Sequence, residues 1–262
     1  MVCTIGEIAR IMEQWAPREI AEQGDNGGLL AGHSDRSVES VLISLDVTTD
    51  VICHAAQVGA QLVISHHPLI YRPISAVIDS SVTGRLAMLA IEKGVALYAT
   101  HTNLDRAAGG VNDTLCAALG LQSVVQAQEG SIGRIACLPA VTRLDAAAMQ
   151  ARFALGAPVA RVTGSGEKLV QQVYVVSGAG RHDITNALNA EVDCMLTGEI
   201  GYHDGLDALE SGLAVIELGH YHTERPVLQQ IEKHLQSQFQ RLQYKVRTEV
   251  YQESTCPFRY FV

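Results

Sequence analysis

Apolar residues recur along this chain with two alternating periods. Ile5, Ile8, Ile11, Met12 and Trp15 repeat at helical spacing, and Thr4 and Glu7 before them have the Thr-x-x-Glu spacing of a capping box, so the chain opens with a helix. Gly24-Asp25-Asn26-Gly27-Gly28-Leu29-Leu30 reads as a polar, glycine-rich loop, and Val38 to Leu45 as a buried strand ending at Asp46. The rhythm then becomes regular: a helix from about Asp50 to Gly59, a strand Gln61 to Ser65, a helix from about Val82 to Lys93 closed by Gly94, and a strand Val95 to Thr100. Strand and helix in alternation predict a mainly parallel sheet. A helix from about Gly110 to Leu119 leads to a middle stretch with strands around Ile135 to Leu138, Val159 to Val162 and Val173 to Val176, and an alanine-rich helix Asp145 to Phe153. The rhythm returns with a strand Cys194 to Thr197, a helix Tyr202 to Ser211, a strand Ala214 to Leu218, a long helix from Glu224 toward Gln240 and a last strand Leu242 to Tyr251. The expected architecture is α/β: mainly parallel sheets with flanking helices, in two intimately packed halves, residues 1–125 and 126–262.

Composition narrows the classes. The 262 residues, 47% hydrophobic, suffice for a large core, and the net charge of -9 repels phosphate backbones over most of the surface. No stable nucleic-acid binding is expected. No basic-then-apolar leader opens the chain and no apolar run has membrane-spanning length, so the protein is expected in the cytoplasm and off the membrane. The six scattered cysteines form no CxxC pair and read as reduced residues packed as small hydrophobes.

The chemistry sits at strand ends. In an open parallel sheet, ligands bind beyond the carboxyl ends of the strands. There the chain delivers Asp46; His66 and His67; His101, Asn103 and Asp105; Glu199 and His203; and His220, His222 and Glu224. Successive strand residues face opposite ways, yet Pro68 ends the ladder and lets His66 and His67 form a corner aimed at two adjacent ions. Thr223 reads as the N-cap of the long helix, which would put Glu224 in its first turn with Pro226 behind. A lone histidine is more often a surface or core residue, but several such residues at convergent strand ends point to metal. Imidazoles and carboxylates without sulfur suit borderline divalent cations, namely zinc, manganese, iron(II), cobalt or nickel, and not calcium.

Asp25 to Leu29, Ser44 to Thr48, Ser65-His66-His67-Pro68-Leu69, His101-Thr102-Asn103-Leu104-Asp105, Gly110 to Asp113, Thr197-Gly198-Glu199 and Gly219-His220-Tyr221-His222-Thr223-Glu224 resemble the successive motifs of the NIF3-like family. The match runs from about residue 4 to the end, and the length resembles the short bacterial form without an inserted domain. The resemblance implies two divalent ions per subunit in a cavity between the halves: His66 and Asp105 on one, His67 and His220 on the other, Glu224 bridging. It also implies a ring-shaped homohexamer, a trimer of dimers. His101 matches a position suited to proton transfer beside the metals, His222 a variable position not expected to be a ligand, and Asp46, Asn26, Asn103, Glu199 and His203 positions around the cavity.

That family is often named GTP cyclohydrolase 1 type 2 homologue, which implies hydrolysis of ring carbon-nitrogen bonds in a small-molecule substrate, a purine nucleotide. In that reading a shared water is acidified by the two ions, His101 moves protons, Glu224 is essential, and Asp46 or Glu199 orients groups. The alternative is a non-catalytic, metal-binding hexameric regulatory or interaction protein, and a third possibility is metal handling. Ser177-Gly178-Ala179-Gly180 could present amides to a phosphate, although a plain tight turn is favoured. The aromatic tail Pro257 to Val262 reads as a segment docked on its own or a neighbouring subunit.

Overall fold

A computed structural model describes residues 2–261, so Met1 and Val262, the last residue of the aromatic tail, lie outside the described residues. The chain divides into two compact units, Met1–Ala107 with Leu228–Thr255, and Ala108–Val227 with Cys256–Val262.

In the first unit the capping box forms as the spacing predicts. Thr4 accepts from the Glu7 amide at 3.3 Å, and the Glu7 carboxylate accepts from the Thr4 amide at 2.7 Å, starting α1 (Ile5–Trp15). Five strands follow in the spatial order β1-β4-β3-β2-β11: β1 (Gly28–Ala31), β2 (Ser40–Ser44), β3 (Leu62–Ser65), β4 (Ala96–Ala99) and β11 (Arg247–Val250). β11, β2, β3 and β4 are parallel, and β1 is antiparallel to β4. Residues of β2, β3 and β4 are buried throughout, which is why their sequences are near-continuous apolar runs. α2 (Thr49–Gln57) and α3 (Val82–Glu92) are the crossovers, and Val51, Ile52, Ala55 and Ala90 from them cluster with Leu42, Val63 and Leu97 of the sheet. α4 (Thr102–Arg106) follows β4 directly. The register pairs Ser44 with Ser65 and Ser65 with Ala99, so β2, β3 and β4 end side by side.

The second unit contains α5 (Val111–Ala118), β5 (Gln122–Gln126), β6 (Arg134–Arg143), α6 (Leu144–Leu155), β7 (Arg161–Thr163), β8 (Leu169–Ala179), α7 (Ile184–Asn189), β9 (Cys194–Glu199), α8 (Tyr202–Glu210), β10 (Ala214–Glu217) and α9 (His220–Glu224). Its sheet runs β5-β6-β8-β9-β10-β7 and is mixed, not mainly parallel: β8, β9 and β10 are parallel, and the other pairings are antiparallel. Alternation along β8 feeds two cores. Val173 and Val175 join Leu144 and Ala147 of α6, while Tyr174 and Val176 join Ile184 and Ala187 of α7.

Two expectations are corrected. The glycine-rich loop gives way to β1 at Gly28, because an edge strand needs no buried alternation to pair with β4. The long helix does not begin at Glu224: α9 ends there, Arg225 and Pro226 intervene, and α10 (Val227–Leu242) starts afresh. Thr223 is therefore not its N-cap. Within the first unit β11 pairs with β2, and within the second α5 packs against β8. Among the described residues no helix is long and apolar enough to cross a membrane.

Candidate metal centre

In the first unit the side-by-side strand ends bring three histidines together. The amides of His66 and His67 still donate to the carbonyls of Ser44 and Leu45, at 3.2 and 2.9 Å, after which the Ser65 hydroxyl donates to the His67 carbonyl at 2.8 Å and bends the chain. One ring nitrogen from each of His66, His67 and His101 lies within 4.8 Å of the others. Their orientation is set by what holds Nδ1. His66 Nδ1 donates to the Thr100 carbonyl at 2.9 Å, His67 Nδ1 to Asp46 Oδ1 at 2.8 Å, and His101 Nδ1 to Asp25 Oδ1 at 2.8 Å. Carbonyl and carboxylate oxygens only accept, so each bond places the proton on Nδ1 and leaves the Nε2 lone pair for a cation. Asp105, from α4, brings Oδ1 to 3.8 Å from His66 Nε2, close to the separation of two ligands on one ion with bonds of about 2 Å.

Asp25 is held firmly. Its side chain is only 2% exposed, and its Oδ2 accepts from the Thr102 amide at 3.0 Å and from the Thr102 hydroxyl. Burial pushes this carboxyl up, but the bonds from His101 and Thr102 outweigh it and hold it well below the usual carboxylate range. Asp46 accepts from the Thr255 hydroxyl at 2.8 Å through Oδ2. Asn26 Nδ2 donates to the Ile70 carbonyl, while Asn103 lines a cavity with Asp25 and Gly27, donates from Nδ2 to the Ala16 carbonyl and accepts the His101 amide at Oδ1.

The second unit offers a separate set of donors. β9 delivers Glu199, and α9 carries His220 and Glu224 one turn apart. His220 Nδ1 lies 3.1 Å from Glu199 Oε1, and its Nε2 lies 3.1 Å from Glu224 Oε1, with Glu224 buried. One imidazole between two carboxylates calls for a positive charge, either a second proton on the ring or a metal ion. The donor set therefore fits a cation, and the His/Glu cluster could hold a metal ion. The backbone of Gly178 closes over it: a Cβ there would fall 2.3 Å from Glu224 Oε1 and 3.2 Å from His220 Nε2. The Gly178 amide donates to Thr223 Oγ1 at 3.1 Å, and that hydroxyl donates to the His220 carbonyl at 2.8 Å. The Ser177 to Gly180 segment is thus a close-approach site against the carboxylate. His203 is exposed beside Tyr202, and His222 is half-buried, its imidazole pushed down by burial and by Arg225.

Asp25 and Thr255 are the residues whose roles sequence reasoning passed over, and Gly178 was read only as part of a turn. Asp25 was visible only as the acid of the Asp25-Asn26-Gly27-Gly28 motif; Thr255 carried no signal.

The family model Duf34/NIF3 (NGG1p interacting factor 3) matches residues 3–257. The chain belongs to the Duf34/NIF3 family. A relative from Clostridium perfringens named GTP cyclohydrolase 1 type 2 homolog is 31% identical over 263 residues, 98% of this chain and 99% of its own. One of the same name from Clostridium acetobutylicum is 28% identical over 99% of this chain and 100% of its own. Among solved structures, a Bacillus cereus protein related to NIF3 superposes with a TM-score of 0.95 at 25% identity, covering 99% of both chains. The Duf34/NIF3 fold therefore extends over nearly the whole chain, and relatives of matching length are named as cyclohydrolase homologues.

Proposed function

We propose that this Duf34/NIF3 protein is a dinuclear metal-dependent hydrolase. His66 and Asp105 would hold one divalent ion and His67 and His220 the other, with Glu224 bridging. The observation that carries the reading is the orientation of the imidazoles: His66 and His67 are each fixed through Nδ1 by an oxygen acceptor, which leaves Nε2 for a cation. The metal is one of zinc, iron, manganese, cobalt or nickel, since the donors are nitrogen and oxygen. When bound, the two ions supply Lewis acidity and a water acidified toward neutrality.

The chain's own residues supply the rest. His101, oriented by Asp25, is the group placed to take or return a proton at Nε2, and Asp46 and Glu199 hold the His67 and His220 rings. The relatives' name supports a small-molecule substrate with hydrolysable carbon-nitrogen bonds, a nucleotide such as GTP, with metal charge offsetting the acidic chain. Assembly as a homohexamer, a trimer of dimers, belongs to the same reading.

The test is elemental analysis of anaerobically purified protein together with a hydrolysis screen over nucleotides, phosphoesters and cyclic amides, with Glu224→Ala alongside. Two ions per chain and turnover in the wild type, both lost in the variant, are expected. A metal-loaded but inert wild type would overturn the enzyme reading in favour of a regulatory metalloprotein.

A further inference from the structure

The segment after the last strand meets the metal-binding edge of the first unit at one defined point. β11 lies parallel to β2 with Val250 opposite Ile43, and the Tyr251 amide continues the ladder to the Ile43 carbonyl at 2.8 Å. The chain leaving β11 therefore runs out over the carboxyl edge at which β2 delivers Asp46. Five residues beyond β11, the Thr255 hydroxyl donates to Asp46 Oδ2 at 2.8 Å, while Asp46 Oδ1 accepts from His67 Nδ1 at 2.8 Å.

We propose that Thr255 is a positioning residue for the His67 imidazole, acting through Asp46; the inference rests on the reading of His67 as a metal ligand. A carboxylate cannot donate, so both bonds converge on it, from the Thr255 hydroxyl and from the His67 imidazole, and the second fixes the His67 proton on Nδ1. The Asp46 side chain is 36% exposed and that of His67 24%, so water competes for both ends. An aspartate held at one oxygen turns about its Cβ–Cγ bond; held at both, its plane is set, and with it the direction of the His67 Nε2 lone pair. His66 is anchored differently, by the Thr100 backbone carbonyl, and does not depend on the C-terminal segment.

The experiment titrates cobalt(II) into metal-free wild type, Thr255→Val and Thr255→Ser, following ligand-field absorbance and stoichiometry, with unfolding midpoints of the metal-free proteins measured in parallel. Wild type should take two ions per chain. Thr255→Val should weaken one of them by about three- to tenfold, the worth of one hydrogen bond, while the other ion and the unfolding midpoint are unchanged. Thr255→Ser should restore wild-type affinity. Equal affinities in Thr255→Val and wild type would overturn the proposal, as would a serine variant no better than valine. So would equal weakening of both ions with a lowered midpoint, which would make the hydroxyl a tie for the fold. A wild type that binds no cobalt overturns the metal reading itself, a result distinct from a two-ion wild type that is indifferent to Thr255.

Discussion

Gly178→Ala tests whether backbone closeness shapes the second donor set. Two costs are readable from the structure. Gly178 has φ of +61°, in the left-handed region, where an L side chain costs about 1 kcal/mol. The new Cβ would also fall 2.3 Å from Glu224 Oε1, where ordinary contact begins at 3.4 Å, so the carboxylate must retreat by roughly 1 Å, beyond the tolerance of about 0.5 Å for a working ligand set. Gly59→Ala is the matched control. Its φ is +71° and no atom lies within 4 Å of the added carbon, so it bears the backbone strain alone. In urea unfolding of the metal-free proteins, Gly59→Ala should lose about 1 kcal/mol and Gly178→Ala about 2 to 3 kcal/mol, the excess being overpacking. After dialysis against limiting zinc, Gly59→Ala should retain the wild-type metal content, and Gly178→Ala should bind the ion proposed at His220 and Glu224 at least about tenfold more weakly. If the two variants match in both stability and metal content, the close approach of Gly178 to Glu224 has no energetic consequence and does not shape the donor set.

Asp25→Asn should lower stability at neutral pH by about 2 kcal/mol, the worth of hydrogen bonds to a charged group. Because the folded carboxyl lies below its unfolded value of about 3.9, its contribution is complete above that pH and is lost as pH falls through the folded value. Acid unfolding followed by circular dichroism should be less pH-dependent in the variant below about pH 4, and parallel curves would count against the assignment. Thr4→Ala removes half of the capping box and should cost about 1 kcal/mol in chemical denaturation; a change under a few tenths would mean that α1 does not depend on its cap. Iodoacetamide should modify exposed Cys53 in the native protein and spare buried Cys3, Cys116 and Cys194, whose thiols burial pushes up to about 11, 12 and 12. Mass spectrometry of native labelling that found those three modified first would refute it.

Much of the architecture is legible in local pattern. The capping box and the spacing of Ile5, Ile8 and Met12 specify α1, and continuous apolar runs closed by Asp46, His66 and His101 specify β2, β3 and β4, because cap chemistry and burial period act over a few residues. The residues the structure gathers at strand ends, His66, His67 and Asp105 in one unit and His220 and Glu224 in the other, lie within motifs visible in the chain. Less legible are β1 and β5, edge strands with little burial to mark them, and the break between α9 and α10, where helical periodicity runs on through Pro226. The antiparallel pairings of the second sheet escape the strand-helix rhythm because β5 passes to β6 without a helix between them, and β6 pairs with β8 across the intervening α6 and β7.

Which histidine each acid holds was settled by tertiary structure alone. Asp25 and His101 are 76 residues apart, and Asp46 and Thr255 are 209 apart. No periodicity or cap couples such distant positions; only the parallel pairing of β11 with β2 and the turn before β1 bring them within hydrogen-bond reach. Residue types and strand ends set which chemistry was available, whereas the direction of each imidazole was decided by packing, since a hydrogen bond depends on distances of a few tenths of an ångström that only the folded chain defines.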